Sequence, residues 1–218
     1  MTQKFHEPFS PAIMETEVPM RFVDIVNKVS DEILSDEEKS AKWDFSHKLV
    51  GKVHKEIQIP VTDKKDREFL FNIMKNGCVE YLKYSIEKNR ARTWKWDTPT
   101  ENDIQFTHSW VVSQYAGDFN PFHHHSGDFS ATIYLKIPEG MNNEIAEDME
   151  DHYPAKGMIE FGFGESQPYR SDNLKFKPEV GKFMLFPSWL KHFVYPFSCE
   201  GERRMMSFNA TIKPRDVL

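Results

Sequence analysis

Apolar residues recur at different spacings in the two halves of the chain, and the spacing changes near Thr98 to Asn102. In the first half they return every three or four positions, as on one face of a helix. From Phe106 onward apolar and polar residues alternate, as on the two faces of a strand. The pattern predicts a helical and strand support region over residues 1–102 and a β-rich core over residues 103–218, within one compact domain.

The first half predicts two helices and two short strands. One helix opens at Pro19, which suits a first helical turn, and ends at the charged cluster Ser35 to Ser40. A second helix is expected from about Asp63 to Lys88, with apolar residues along one side. Short stretches of alternation predict strands over Lys55 to Val61 and Thr93 to Trp96.

The second half predicts six or more antiparallel strands. The first places Phe106, His108, Trp110 and Val112 on one face. The others are expected over Phe129 to Lys136, Gly157 to Phe163, Lys182 to Phe186, Lys191 to Tyr195 and Arg203 to Ile212. Many short antiparallel strands bury their inner faces by closing into a roll, whose mouth can hold a metal and small ligands. We therefore predict a mainly β fold, a cupin-like jelly roll or double-stranded β-helix, supported by N-terminal helices.

Two stretches between the predicted strands contain few core residues. Pro138 to Lys156 is acidic, and Gly164 to Asn173 mixes glycine, serine, proline, tyrosine and arginine. Both are interpreted as loops. Loops of this length are often lids or binding elements, and a solvated surface excursion is the plainer alternative.

Charge and cysteine content narrow the class of protein. The chain has 28 Lys and Arg against 34 Asp and Glu, so its net charge of −6 disfavours a nucleic-acid partner. Cys78 and Cys199 are too few for a disulfide framework and suit a reducing compartment. The N-terminal residues lack the layout of a secretion signal, and no stretch is long enough to cross a bilayer. We expect a cytoplasmic protein without membrane association, with self-association left open.

Three adjacent histidines, His123 to His125, lie between two predicted strands. In an extended segment His123 and His125 point to one side and His124 to the other, so the outer pair can chelate one ion. Neutral imidazole suits iron(II). A polar loop whose histidines meet solvent is the alternative interpretation of this run.

His192 begins a strand after the Pro187 corner and is directed toward the core. A buried histidine satisfied by a backbone partner is commoner than a ligand, so His192 gains significance only together with the earlier histidines. On the last predicted strand, Arg203 and Ser207 share a face, and Arg203 can offer a two-pronged donor to a carboxylate. Tyr134, on a neighbouring strand, can approach the same carboxylate, although Arg203 on the surface and Tyr134 in the core are ordinary alternatives.

Four segments together resemble the 2-oxoglutarate- and iron(II)-dependent oxygenases, in particular a group of small members found in bacteria and marine tailed phages. They are Phe119 to Ser130, Ile133 to Pro138, Phe186 to His192 and Glu202 to Asn209. The likeness covers roughly Ser109 to Ile212. It implies a double-stranded β-helix dioxygenase, most typically a hydroxylase, that uses Fe(II), 2-oxoglutarate and O2 to oxidise a primary substrate.

The resemblance also implies roles for single residues. His123 matches the first metal ligand, His192 the distant histidine, Arg203 the anchor of the co-substrate carboxylate, and Tyr134 a co-substrate tyrosine. The family's usual acid, two positions after the first ligand, is replaced here by His125.

Two ligand sets remain open for the metal: His123, His125 and His192, or a site in which Asp128 supplies an oxygen. The i, i+2 spacing favours His125, whereas a bend at Gly127 would be needed to bring in Asp128.

Two other classes of protein remain as rivals to an oxygenase. One is a cupin-like module that binds a metal or a small acid without turnover, and the other is a phage structural or interaction protein. Arg203 together with Tyr134 discriminates against the first, because a metal-binding roll needs no carboxylate clamp beside the ion. Protein side chains, small amino acids and nucleobases are all candidate primary substrates.

Overall fold

The computed structural model describes residues 11–46, 50–88 and 99–213 of the 218-residue chain. The described helices are α1 (Met20–Leu34), α2 (Glu37–Lys42), α3 (Lys64–Glu87) and α4 (Met141–Asp148), with a 3-10 turn at Glu101–Asp103. The described strands are β1 (Met14–Glu17), β2 (Lys55–Gln58), β3 (Ile104–Gln114), β4 (Asn120–His123), β5 (Phe129–Lys136), β6 (Ile159–Gly162), β7 (Asn173–Phe176), β8 (Lys182–Pro187), β9 (Lys191–Val194) and β10 (Arg203–Ile212). The strand expected over Thr93 to Trp96 lies outside the described residues.

The strands form two antiparallel sheets that close into a double-stranded β-helix, as predicted. The larger sheet has the order β1-β8-β5-β10-β3-β2, and the smaller has the order β4-β9-β6-β7. Strands β5 and β10 lie at the centre of the larger sheet, and their buried residues on one face pack against helices. Their other face and the smaller sheet enclose a second apolar cluster.

The N-terminal region supplies both edges of the larger sheet. Strand β1 pairs with β8, and β2 pairs with β3. Helices α1 and α3 cover the outer face, where Phe22 and Met74 are among the buried residues. Helix α3 begins as predicted, because the side chain of Asp63 accepts a hydrogen bond from the backbone N–H of Asp66 at 2.8 Å.

Helix α4 corrects the interpretation of Pro138 to Lys156 as a loop. Met141 and Ile145 are four positions apart within the acidic stretch, and both are buried against Met158 and Phe197. One turn of apolar spacing is therefore enough to anchor a short helix to the core. The polar side chains of Asn142, Asn143 and Glu144 between them conceal that spacing in the sequence.

A bulge in β3 corrects the face assigned to Phe106. Asn209 pairs with His108, but the next residue, Ala210, pairs with Phe106, so Thr107 is an extra residue in the ladder. The bulge turns Phe106 to the helical side of the sheet, where its ring lies 5.2 Å from the ring of Phe208. His108, Trp110 and Val112 keep the opposite, inward face.

No helix in the described part of the chain is both long and apolar enough to span a membrane.

Candidate metal centre and its cavity

The histidine triplet and the Pro187 corner meet at one end of the smaller sheet. Strand β4 pairs with β9 so that His123 lies directly opposite His192. The backbone N–H of His125 donates to the carbonyl of Ser188 at 2.9 Å, which holds the segment after β4 against the same corner. Two stretches that are far apart in sequence therefore present their imidazoles to one point.

His123, His125 and His192 form the group in the described chain that has metal-binding geometry. One nitrogen from each ring lies within 4.8 Å of the others. The ring centroids of His123 and His192 are 4.3 Å apart, and those of His125 and His192 are 5.2 Å apart. His124 is exposed, as expected for the middle position of an extended segment.

Backbone carbonyls fix two of the three rings. Nδ1 of His123 lies 2.6 Å from the carbonyl oxygen of Pro121, and Nδ1 of His192 lies 3.1 Å from that of Leu190. An Nδ1–H that donates to a carbonyl leaves Nε2 as the free nitrogen, the usual arrangement for a histidine ligand.

The three imidazoles are held neutral, as a metal requires of them. Burial lowers the pKa of His125 to about 3, helped by the neighbouring rings of His123 and His124. Burial also lowers the pKa of His192 well below its ordinary value, and the nearby histidines act in the same direction. Mutual repulsion between imidazolium rings is thereby avoided, and all three ring nitrogens stay available as ligands.

Asp128 lies outside this group. Its carboxylate accepts a hydrogen bond from the backbone N–H of Ile212 at 2.8 Å, and its own N–H donates to the carbonyl of Ala210. Gly127 has a φ of 95°, so a bend is present, but it turns Asp128 toward the end of β10. The structure thus brings together the three-histidine set and leaves Asp128 at the sheet end.

A cavity of about 290 Å³ opens beside the three histidines. Its volume is near the lower end of the range for small-molecule sites. Three of the side chains that line it carry a buried polar atom without a hydrogen-bond partner: Glu56 Oε1, Ser130 Oγ and Asn209 Oδ1. Buried polar atoms are normally paired, so these three atoms mark the wall where a ligand is expected.

Ser207 lines the cavity, whereas Arg203 and Tyr134 lie deeper in the barrel. Met205 lies between Ser207 and Arg203 along β10 and also lines the cavity. Both Arg203 and Tyr134 are fully buried. Of the three expected co-substrate residues, Ser207 therefore lines the cavity, whereas Arg203 and Tyr134 are buried in the barrel interior.

The guanidinium of Arg203 is buried among neutral acceptors. It donates to Gln114 Oε1 at 2.8 and 3.2 Å, to the carbonyl of Gly157 at 2.6 Å and to that of Tyr195 at 3.2 Å. Burial lowers its pKa to about 10, which is the direction expected for a cation removed from water. Within the described chain no carboxylate forms an ion pair with it.

Tyr134 carries the fourth unpaired buried polar atom. Its hydroxyl has no hydrogen-bond partner, and burial raises its pKa to about 12 while the charge of Arg203 acts in the opposite direction. Asp118 acts on this buried cation only from beyond ion-pair distance among the described residues, and the unused phenol lies near it. This pair is suited to receiving an anion.

Glu56 is the cavity residue that sequence reasoning missed. It lies on β2 opposite Val112, and its side chain is 1% exposed. A charged residue in a short alternating strand is normally on the solvent face, so the local pattern contains no signal for burial. Only the pairing of β2 with β3 places Glu56 on the inward face.

Comparison with known proteins agrees with this geometry. Residues 108–209 match the model of a family described as "Putative 2OG-Fe(II) oxygenase". A prolyl-4-hydroxylase from Pseudomonas putida is similar in structure, with a TM-score of 0.54 and 13% identity over 94% of each chain. A viral collagen prolyl hydroxylase from Paramecium bursaria Chlorella virus-1, solved with 2OG, has a TM-score of 0.51 and 12% identity over 91% of this chain and 94% of its own. A comparison with curated proteins finds no match.

The double-stranded β-helix and the imidazole cluster together are suited to a metal-dependent enzyme. Residues 108–209, just under half of the chain, are similar to the 2-oxoglutarate- and iron(II)-dependent oxygenases, and this match supports an oxidoreductase of that kind. Iron(II) and 2-oxoglutarate are accordingly its cofactor and co-substrate. The two prolyl hydroxylases share its fold; at 12 and 13% identity they indicate nothing finer.

Proposed function

We propose that the protein hydroxylates a primary substrate in the cavity beside His123, His125 and His192, and that these three residues hold the iron. One observation carries the proposal: three neutral imidazoles from two distant segments converge at the mouth of a closed barrel. When bound, iron(II) supplies the site for O2 and for the keto acid end of 2-oxoglutarate, whose decarboxylation to succinate drives the oxidation.

In this proposal, backbone contacts would orient the histidine rings that bind the iron. The carbonyls of Pro121 and Leu190 orient the rings of His123 and His192, so each Nε2 is presented without a change of rotamer. His125 takes the place of the usual carboxylate. The bound ion then keeps a higher positive charge than a site with one acid, since all three ligands are neutral.

Arg203 and Tyr134 are proposed to receive the far carboxylate of 2-oxoglutarate. The buried guanidinium has only neutral acceptors, and a carboxylate would supply its missing counter-ion while the phenol of Tyr134 donates a further hydrogen bond. Met205 lies on the path from the cavity, and its unbranched side chain can move aside more readily than a β-branched one. Ser207 and Thr132, which line the cavity, would contact the middle of the co-substrate.

The enclosed wall excludes water from the reacting atoms. Trp110, Phe186 and Ile159 line the cavity and are at most 3% exposed, so the histidines face bulk solvent from one side only. A cytoplasmic location is part of the proposal, because Cys78 and Cys199 are both free thiols.

Anaerobic titration with Fe(II) and then 2-oxoglutarate tests the function. A weak visible charge-transfer band should appear when both are present, and succinate should form when air is admitted. A protein that binds iron but gives neither band nor succinate would instead be a non-catalytic metal-binding roll.

A further inference from the structure

Glu56 is a buried carboxylate on the wall of the reaction cavity. Its side chain is 1% exposed and lines the cavity, and its Oε1 has no hydrogen-bond partner. Its backbone is held by one neighbouring segment, since its carbonyl accepts from the N–H of Phe45 at 2.8 Å and its N–H donates to Ser46 Oγ at 3.3 Å. The carboxylate therefore belongs to a rigid wall and is held at the cavity without a partner.

Within the described part of the chain, Glu56 has no counter-ion. Among the described residues that line the cavity, Glu56 is the one carboxylate, and neither lysine nor arginine is present. The nearest acidic neighbour, Asp44, is itself paired with Lys55 at 3.3 Å. Burial and the charge of Asp44 together raise the pKa of Glu56 to about 8. A buried carboxylate without a counter-ion is rare in proteins, because burying its charge costs free energy unless a ligand neutralises that charge.

Aromatic rings stand next to this carboxylate. Phe45 and Trp110 line the same cavity with ring centroids 5.7 Å apart, and the ring of His108 lies 5.7 Å from that of Phe45. Aromatic faces attract cations, most strongly in a site shielded from water. Trp110 also lies 5.7 Å from His125, so this aromatic wall leads directly to the proposed iron.

We propose that Glu56, with Phe45 and Trp110, binds a cationic nitrogen of the primary substrate, an ammonium or a guanidinium group. The inference rests on the proposed function, because it names the class of substrate for that cavity. The cation supplies the charge that the carboxylate lacks and stacks against the aromatic wall, while the carbon to be oxidised lies toward His125. Glu56 is a specificity-determining residue in this arrangement and takes no part in binding iron or 2-oxoglutarate.

Its position in the chain supports a role in selecting substrate. Glu56 lies on β2, outside residues 108–209 that match the oxygenase family. The iron and co-substrate residues all lie inside that segment. Glu56 and Phe45 would thus add substrate recognition from outside the matched segment, while Trp110 belongs to it.

Two matched pairs of probes test the inference. The protein loaded anaerobically with Fe(II) and 2-oxoglutarate is titrated calorimetrically with the N-acetyl methylamides of lysine and norleucine, and of arginine and citrulline. In at least one pair the cationic member should bind about fivefold or more tightly than its neutral partner. Glu56→Gln keeps the shape of the side chain and should reduce the preference to less than about twofold.

Glu80→Gln is the control, since Glu80 is exposed on α3 and pairs with Lys83. It removes the same charge and should keep the preference. Equal binding within both pairs, no binding of any probe, or a preference that survives in Glu56→Gln would each overturn the inference. Thermal unfolding of Glu56→Gln checks that the variant is folded. The charge-transfer band and succinate formation, measured without probes, report the proposed function separately. Absence of any cation preference in the parent protein, with both signals intact, therefore rejects the inference alone.

Discussion

His123 and His192 face each other across the β4–β9 ladder, with ring centroids 4.3 Å apart. Each ring is held through Nδ1 by the backbone carbonyl of the residue two positions earlier in the chain. The same local device thus orients two ligands that are 69 positions apart in sequence. Because the device is built from backbone, side-chain substitutions elsewhere should leave the ligand geometry unchanged.

Removing one ligand should abolish tight iron binding. His192→Ala takes away a ring that no other side chain replaces, and we expect the dissociation constant for Fe(II) to rise by at least about 100-fold, more than the loss of an outer-sphere contact causes. Anaerobic equilibrium dialysis measures the change. His124→Ala is the matched control, because His124 is exposed and outside the cluster; an equal loss of iron in that variant would contradict the ligand assignment.

Tyr134→Phe should affect folding and co-substrate binding in opposite directions. The variant loses a buried hydroxyl that has no partner, so the free energy of unfolding without 2-oxoglutarate should rise by about 1 kcal/mol. The dissociation constant for 2-oxoglutarate should rise about three- to tenfold, since one hydrogen bond is lost. Urea denaturation and calorimetry give the two values.

Tyr153→Phe is the control for this pair of effects. The Tyr153 hydroxyl already donates to Glu160 at 2.9 Å, so its removal should lower stability and leave 2-oxoglutarate binding unchanged. If Tyr134→Phe binds 2-oxoglutarate as tightly as the parent, the phenol is not part of the co-substrate site.

Arg203→Lys should weaken 2-oxoglutarate binding by about tenfold while the iron site is retained. Lysine keeps the charge but loses the planar fork that can hold a carboxylate with two parallel bonds. Arg204→Lys provides a neighbouring comparison, because Arg204 points to the other face and pairs with Glu202 and Asp31. The assignment fails if the two variants bind 2-oxoglutarate alike. Arg203→Ala is less informative, since it also strips contacts from Gln114 and Gly157 and should destabilise the barrel.

The stability of Glu56→Gln relative to the parent should increase with pH. The pKa of Glu56 is about 8 in the folded protein, above its ordinary value of 4.5, so folding favours the protonated acid. The parent therefore loses stability as pH rises from about 4.5 to 8, and the loss is complete above 8. Glutamine removes this term, and the difference in unfolding free energy should grow to at most about 5 kcal/mol.

Urea denaturation of the metal-free protein at pH 5, 7 and 9 measures this difference. Glu80→Gln should show a nearly constant difference from the parent over the same range. A flat profile for Glu56→Gln would mean that the carboxylate is hydrated in the folded protein.

Strand alternation and histidine spacing were sufficient to predict the core from the sequence. The period of two located β5 and β10 at their exact bounds, and the i, i+2 rule placed His123 and His125 on one side. Features that depend on a single residue were not predictable. The bulge at Thr107 changes the pairing without altering the composition, and it moved Phe106 to the other face.

The remaining features of the site depend on pairing between strands that are far apart in the sequence, and they could not be predicted from it. The burial of Glu56 follows from the register of β2 against β3, and nothing within β2 itself distinguishes that glutamate from a solvent-facing one. The position of Arg203 behind Met205 depends on how deeply β10 enters the barrel, which alternation along one strand does not measure. Local periodicity predicts the face of the strand on which a residue lies. Its depth in the barrel and the register of its strand depend on pairing with strands elsewhere in the chain.

Strand β2 is joined to the rest of the larger sheet through β3 alone. Substitutions in a four-residue edge strand of this kind need not disturb the β4–β9 ladder that carries His123 and His192. Proteins that share this fold could therefore change substrate specificity through a few mutations in β2, while the residues proposed to bind iron and 2-oxoglutarate stay the same.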